Sequence, residues 1–128
     1  MVQQITKGIK VTVKTVYNGV FHREDQLFYA FSYAVTVENN SKEPVQLLAR
    51  HWEIFDSLNH QEIVDGEGVV GQTPTIAPQK SYTYSSNCFL NSTAGSMKGF
   101  YKMIAVNSQK KFNVHIPTFQ LTTSALSN

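Results

Sequence analysis

Along most of the chain, hydrophobic and polar residues alternate with a period of two. From Ile9 to Tyr17, Ile9, Val11, Val13 and Tyr17 share one parity, and Lys10, Thr12 and Lys14 share the other. Such alternation marks a strand with one face buried. The pattern returns from Leu27 to Asn39, with Leu27, Tyr29, Phe31, Tyr33, Val35 and Val37 on one side and Ala30, Ser32, Ala34, Thr36 and Glu38 on the other. Val45–Asp56 is predicted as a third strand, residues 61–64 as a short fourth, and 81–90, 96–106 and 111–121 as the remaining three. Asn18-Gly19, the charged stretch 20–26, Asn39–Lys42, Ser57–His60, Asn91–Gly95 and Asn107–Lys110 supply turns and loops. Six or seven short strands with turns about every ten residues, and no helical period, predict an antiparallel β-sandwich. One position breaks the pattern: Arg50 shares the parity of Leu48, Trp52 and Ile54. Either the strand carries a bulge there, or a carboxylate such as Glu53 or Asp56 holds the guanidinium.

No repeat, linker or low-complexity segment interrupts the 128 residues, so a single domain is expected, with its core over about residues 9–121 and flexible ends at 1–8 and 122–128. Eight Phe, six Tyr and one Trp suit packing on pleated surfaces. The formal charge of +2 is too small, and the Lys and Arg residues too dispersed, for a nucleic-acid partner. The nearest approach to a basic cluster is Lys110-Lys111 with Lys102. A single cysteine, Cys88, excludes an intrachain disulfide. No apolar run is long enough to span a bilayer, and the N-terminus carries no signal-peptide core; a cytoplasmic location is expected.

The sharpest motif is Gly66-Glu67-Gly68-Val69-Val70-Gly71, formally G-x-G-x-x-G. A dinucleotide fingerprint needs a helix after it, so that pyrophosphate meets the helix N-terminus. Here Gln72-Thr73-Pro74-Thr75-Ile76-Ala77-Pro78 follows, and no helix begins there. The stretch can instead serve as a nest of amide groups for phosphate, pyrophosphate or a nucleotide, with Arg50 or Lys80 as counter-charge, although Asp65 and Glu67 oppose an anion. Alternatively, its glycines permit positive φ and tight passage of the chain.

Several linked motifs resemble the ApaG family. They are Leu47-Leu48-Ala49-Arg50-His51-Trp52-Glu53-Ile54 with Asp56; Val64–Gly71 followed by Pro74 and Pro78; Tyr82–Ser86; Gly95–Tyr101; and Phe112–Phe119. The resemblance runs from about Ile9 to Leu121. It implies an immunoglobulin- or fibronectin-type-III-like sandwich and a small bacterial protein. Related domains occur in certain eukaryotic F-box proteins and in a polymerase-δ-interacting protein, which implies a protein-interaction role. Bacterial members are associated with cobalt and magnesium efflux or tolerance. Where the family commonly has Pro-Gly-Glu, this chain has Pro78-Gln79-Lys80; where it has Ser-Gly, this chain has Ser86-Asn87, and Asn also tolerates positive φ.

Two functions remain open from the residues. One is a non-enzymatic interaction module using Arg50, His51 and Trp52 as a surface. The other is a small-ligand binder at Gly66, Gly68 and Gly71 with Arg50, with or without a divalent cation. An exposed apolar patch favours the first; free amides at the glycine turn favour the second. For Trp52 burial between the sheets is the competing role, and for Arg50 hydrogen bonding to the carbonyls of the glycine turn. His22, His51, His60 and His115 show no ligand spacing, although His51 could meet Asp56 or His60 across a hairpin; no metal site and no cofactor are predicted. Ser85, Ser86 and Cys88 have no adjacent base, so no catalytic residue is assigned. A homodimer through an exposed edge strand is compatible with either function.

Overall fold

The computed structural model describes residues 1–58 and 61–123. Among these residues there are nine strands: β1 (Val2–Thr6), β2 (Ile9–Arg23), β3 (Gln26–Asn39), β4 (Val45–Asp56), β5 (Glu62–Glu67), β6 (Thr75–Ile76), β7 (Lys80–Leu90), β8 (Ala94–Ala105) and β9 (Lys110–Thr122). One sheet runs β1-β2-β3-β7 and the other β5-β4-β8-β9, with β6 also pairing β4, and every pairing is antiparallel. The two sheets form the sandwich that the alternation predicts. Ile9, Val11, Val13, Phe31, Val35 and Val37 face the interior from the first sheet, and Val45, Leu47, Met97, Tyr101, Met103 and Val114 from the second. Tyr33, Trp52 and Phe119 meet across the centre, with Trp52 edge-on to both other rings at 5.5 and 5.9 Å. Such tilted aromatic contacts each add roughly 0.5–1.5 kcal/mol beyond area burial.

Several expected boundaries change. Residues 2–6, expected in a flexible end, pair with β2 in register Val2↔Val13 to Thr6↔Ile9. Asn18-Gly19 does not turn the chain. It forms a bulge, with Gly19 at φ 100, and β2 continues to Arg23. The expected loop 20–26 is therefore strand on either side of a two-residue Glu24-Asp25 turn. Residues 61–64 understate the fourth of the predicted strands, which continues through Gly66 as β5, and the two-residue β6 gave no periodic signal. Asn59 and His60, expected in a turn, and residues 124–128, expected as a tail, lie outside the described residues.

Buried polar residues tie the turns at both ends of the sandwich. Asn39, fully buried, donates to the carbonyls of Glu43 and Ile76 and accepts from Ser41 N–H and Oγ–H. At the other end Asp56 accepts from the amides of Leu58 and Asn91 and from the Ser92 hydroxyl.

Gln79 occupies the position where the resembled family commonly has glycine, and its φ is +65. Its amide donates to the Asn39 carbonyl at 2.7 Å, so the left-handed geometry is built into the β6–β7 connection. Asn87 is an ordinary strand residue paired with Ser32 and needs no positive φ. A side chain in the left-handed region costs about 1–2 kcal/mol, partly offset by the larger unfolded-state entropy of glycine. Gln79→Gly is therefore expected to stabilise the protein by about 0.5–1 kcal/mol, read as a higher urea midpoint at unchanged slope. A lower midpoint would refute the assignment.

Candidate functional site

Alternation along β4 sets the geometry of the candidate residues, because successive strand side chains point to opposite faces. The register of β4 against β8 shifts between Leu47 and Ala49, leaving one extra residue at Leu48. This bulge is the explanation for Arg50's parity: Val45 and Leu47 face inward before it, and Arg50, Trp52 and Ile54 after it. Among the described residues no carboxylate forms an ion pair with the guanidinium. Its Nη1 donates to the carbonyls of Glu67 and Gly68, both at 2.9 Å.

Arg50, His51 and Trp52 therefore do not form one surface. Trp52 is 3% exposed and belongs to the core. His51 points to the opposite, outer face, stacked on Phe100 at 4.7 Å. Its Nδ1 lies 2.7 Å from Asp65 Oδ1 and its Nε2 3.3 Å from Glu53 Oε2. Glu53 also lies beside Gln61 and, at 4.0 Å, Lys98.

In the glycine turn each glycine has a separate backbone task. Gly66 lies under the Arg50 guanidinium, where an added Cβ would fall 2.6 Å from Cζ. At Gly68, φ is +61 and an added Cβ would run into the Gln72 carbonyl. Val70 and Gly71, at φ 47 and 76, form a two-residue turn closed by reciprocal hydrogen bonds between Val69 and Gln72. The Gly68 amide donates to Leu48 O at 2.8 Å, which joins the turn to the bulge. The amides of Gly68, Val69 and Gln72 are thus all committed inside the protein.

Between β5 and β7 the sandwich opens into a cleft of about 320 Å³. Trp52, Ile54 and Met97 form its apolar base, Arg50 and Tyr33 its polar part, and Glu62 and Val64 face Ser86–Phe89 across the mouth. Arg50 is the only one of the predicted ligand residues that lines it besides Trp52 of the predicted surface. Tyr33, Glu62 and Ser86 had no local signal in the sequence, since register alone brings them together. Deeper inside, the Tyr84 and Tyr101 hydroxyls are hydrogen-bonded to each other. Burial raises the pKa of both, so they remain neutral phenols. Burial, followed by Glu62 and Asp56, pushes the Cys88 thiol up to about 11, so the neutral thiol prevails over the thiolate at neutral pH.

Arg50→Ala is expected to cost roughly 2–3 kcal/mol, because two carbonyls lose charged donors. Gly66→Ala also destabilises, by displacing the guanidinium, but loses most of that cost in the Arg50→Ala background. A double-mutant cycle by urea unfolding measures the coupling; additive effects would contradict the stacking of Arg50 over Gly66.

The hydrogen bond to Asp65 is the largest cause and raises the His51 pKa above its ordinary 6.5; desolvation opposes it, and the Asp65 charge with the hydrogen bond and charge of Glu53 add to the rise. Protonated His51 therefore adds stability that is complete below the unfolded value near 6.5 and disappears as pH rises through the raised folded pKa. The expected outcome is that this fall in stability is absent in His51→Gln; an identical pH profile for both proteins would refute it.

Comparison with known proteins agrees with this architecture. The family model of the ApaG domain matches residues 20–105. Protein ApaG of Brucella canis and Protein ApaG of Brucella abortus strain S19 are each 41% identical over 121 residues, covering 94% of this chain and 92% of theirs. A structural-genomics X-ray structure superposes with a TM-score of 0.86 at 39% identity, covering 93% of this chain and 89% of that one. The crystal structure of a Bordetella pertussis protein given the name ApaA superposes at 0.80 with 32% identity, covering 91% and 94%. None of these names carries an enzymatic activity. The shared fold, motifs and near-complete alignment show that this chain belongs to the ApaG domain family.

Proposed function

We propose that the protein is a non-enzymatic interaction module that takes an extended segment of a partner protein along the free edge of β7. The observation that carries this reading is the composition of that edge. Ser81–Leu90 contains no charged residue and no proline across ten positions. Edge strands are normally protected by charge, proline, shortness or cover, because their unpaired backbone groups recruit other strands. The other edges have such protection. β5 carries Glu62, Asp65 and Glu67; β9 contains Pro117; and β1 is five residues long and reaches β9, where Thr6 Oγ1 accepts the His115 amide.

An added strand would extend the first sheet by main-chain hydrogen bonds and direct alternate side chains into the β5–β7 cleft. Trp52 and Met97 suit an apolar side chain there, while the Arg50 guanidinium suits a carbonyl or carboxylate. Phe21 and Phe89, 44% and 52% exposed with centroids 5.6 Å apart, extend the apolar contact on the outer face. The competing reading, a small anion at Gly66, Gly68 and Gly71, is less well supported because the amides of Gly68, Val69 and Gln72 bond within the chain. A link to cobalt or magnesium tolerance would then act through the partner: among the described residues no three His, Cys, Asp or Glu side chains cluster to hold an ion. Among the same residues no helix is long and apolar enough to cross a membrane.

A photo-crosslinking residue at Asn87 tests the edge in cells, with one at Lys98 on the other sheet as control. Discrete adducts are expected at position 87 and not at 98, and Ser85→Lys, which charges the edge, should abolish them. Equal adducts at both positions, or adducts indifferent to Ser85→Lys, would sink the proposal. An adduct with twice the chain mass identifies the partner as a second copy.

A further inference from the structure

A second feature lies where three turns meet at the end of the sandwich that holds Asn39. The Lys7-Gly8 turn, the Ser41–Glu43 loop and the start of β9 enclose a basin of about 440 Å³. Lys7, Lys42, Lys110 and Lys111 line it, and Val45, Ala105 and Phe112 provide an apolar floor. None of the four ammonium groups is ion-paired among the described residues. Lys7 reaches over the Phe112 ring at 5.8 Å. In contrast, Lys10 and Lys98 lie beside Glu38 and Glu53.

The basin is also fixed in shape. Glu43 is its only carboxylate, and Oε1 accepts the amides of Asn107 and Ser108, both at 3.0 Å. That carboxylate therefore clamps the β3–β4 loop to the β8–β9 turn and only partly offsets the lysine charge. Asn39 holds Ser41 and the Glu43 carbonyl, and the Asn40 amide donates to the Gly8 carbonyl at 2.9 Å. Each of the three turns is thus hydrogen-bonded to another. The lysines stand on anchored backbone, and the mutual repulsion of their charges is only partly compensated.

We infer that this basin binds a short chain of phosphates, as free oligophosphate or as the phosphate tail of a nucleotide. A multiply charged anion neutralises several cations around one cavity at once. Lysine acts as a point charge that fits phosphate oxygens, whereas planar carboxylates are better matched by the arginine fork, which is absent from the basin. The site is separate from the β7 edge and does not depend on the interaction proposed there.

An amide NMR titration of the full chain with sodium tripolyphosphate tests the assignment, first at low and then at physiological ionic strength. Saturable shifts are expected at Gly8, Lys42, Ser108, Lys110 and Lys111, weakening with salt. Lys110→Gln/Lys111→Gln should reduce affinity roughly tenfold or more, while the charge-matched Lys14→Gln/Lys98→Gln should change it less than about twofold. All four lysines are exposed, so a dispersed spectrum is expected from both variants. Equal weakening by the two pairs would reduce the effect to net charge and overturn the site. Absence of saturation, or shifts confined to Gly66, Gly68 and Gly71, would also overturn it. ATP separates the sources: affinity equal to tripolyphosphate identifies the phosphate chain alone, and tighter binding with added shifts at Val45 and Phe112 identifies a nucleotide.

Discussion

The Arg50 guanidinium reaches the Glu67 and Gly68 carbonyls only because β4 takes an extra residue between Leu47 and Ala49. Without that bulge, Arg50 and Trp52 would exchange faces with Ala49 and His51, since a shift of one residue reverses every side chain beyond it. Trp52 would leave the aromatic centre it shares with Tyr33 and Phe119. The bulge and the glycine turn also depend directly on each other. Leu48, the extra residue, offers its carbonyl to the Gly68 amide. Gly66 leaves the space that the guanidinium occupies, and Gly68 allows the chain to turn toward Gln72. The motif that formally resembles a nucleotide fingerprint is thereby accounted for by an arginine held between a bulged strand and its neighbour.

The sandwich was legible because its strands are long and alternate strictly, and one buried face per strand is all that periodicity records. Val45–Asp56 appears with the predicted ends. Periodicity fails where a bulge changes parity without ending the strand, as at Gly19, and where pairing needs no buried side chain, as in β1, of which Gln3, Gln4 and Ile5 are exposed. The charged 20–26 stretch read as loop because its side chains are solvated, yet its backbone pairs in the β2–β3 hairpin. Here a polar composition reports exposure and not irregularity.

The candidate sites were less legible for a related reason. Arg50 stood out because a charged residue at an inward parity is anomalous in one strand. Tyr33, Glu62 and Ser86 are anomalous nowhere, and become neighbours only when β3, β5 and β7 are arranged. The lysines follow the same rule. Lys110-Lys111 looked like a minor pair beside Lys102, yet the topology also brings Lys7 and Lys42 to it, over sequence distances that no local pattern encodes. Their common property is position: each sits in or next to a connection at one end of the sandwich, where connections are placed by strand direction.

Strand direction also explains how one small sandwich can offer the two surfaces proposed above. The β7 edge derives from a backbone ladder left unpaired along the side of the first sheet, so the recognition proposed for it rests on hydrogen-bonding groups and on the lack of charge. The lysine basin lies at an end, where the backbone is held in turns and side chains provide the recognition. A neutral edge suits a segment whose main chain supplies the bonds. A basin of unpaired cations suits a ligand whose charge supplies them, and repels another cationic surface. Both are built on the core that Arg50 and Trp52 enter through the same bulged strand.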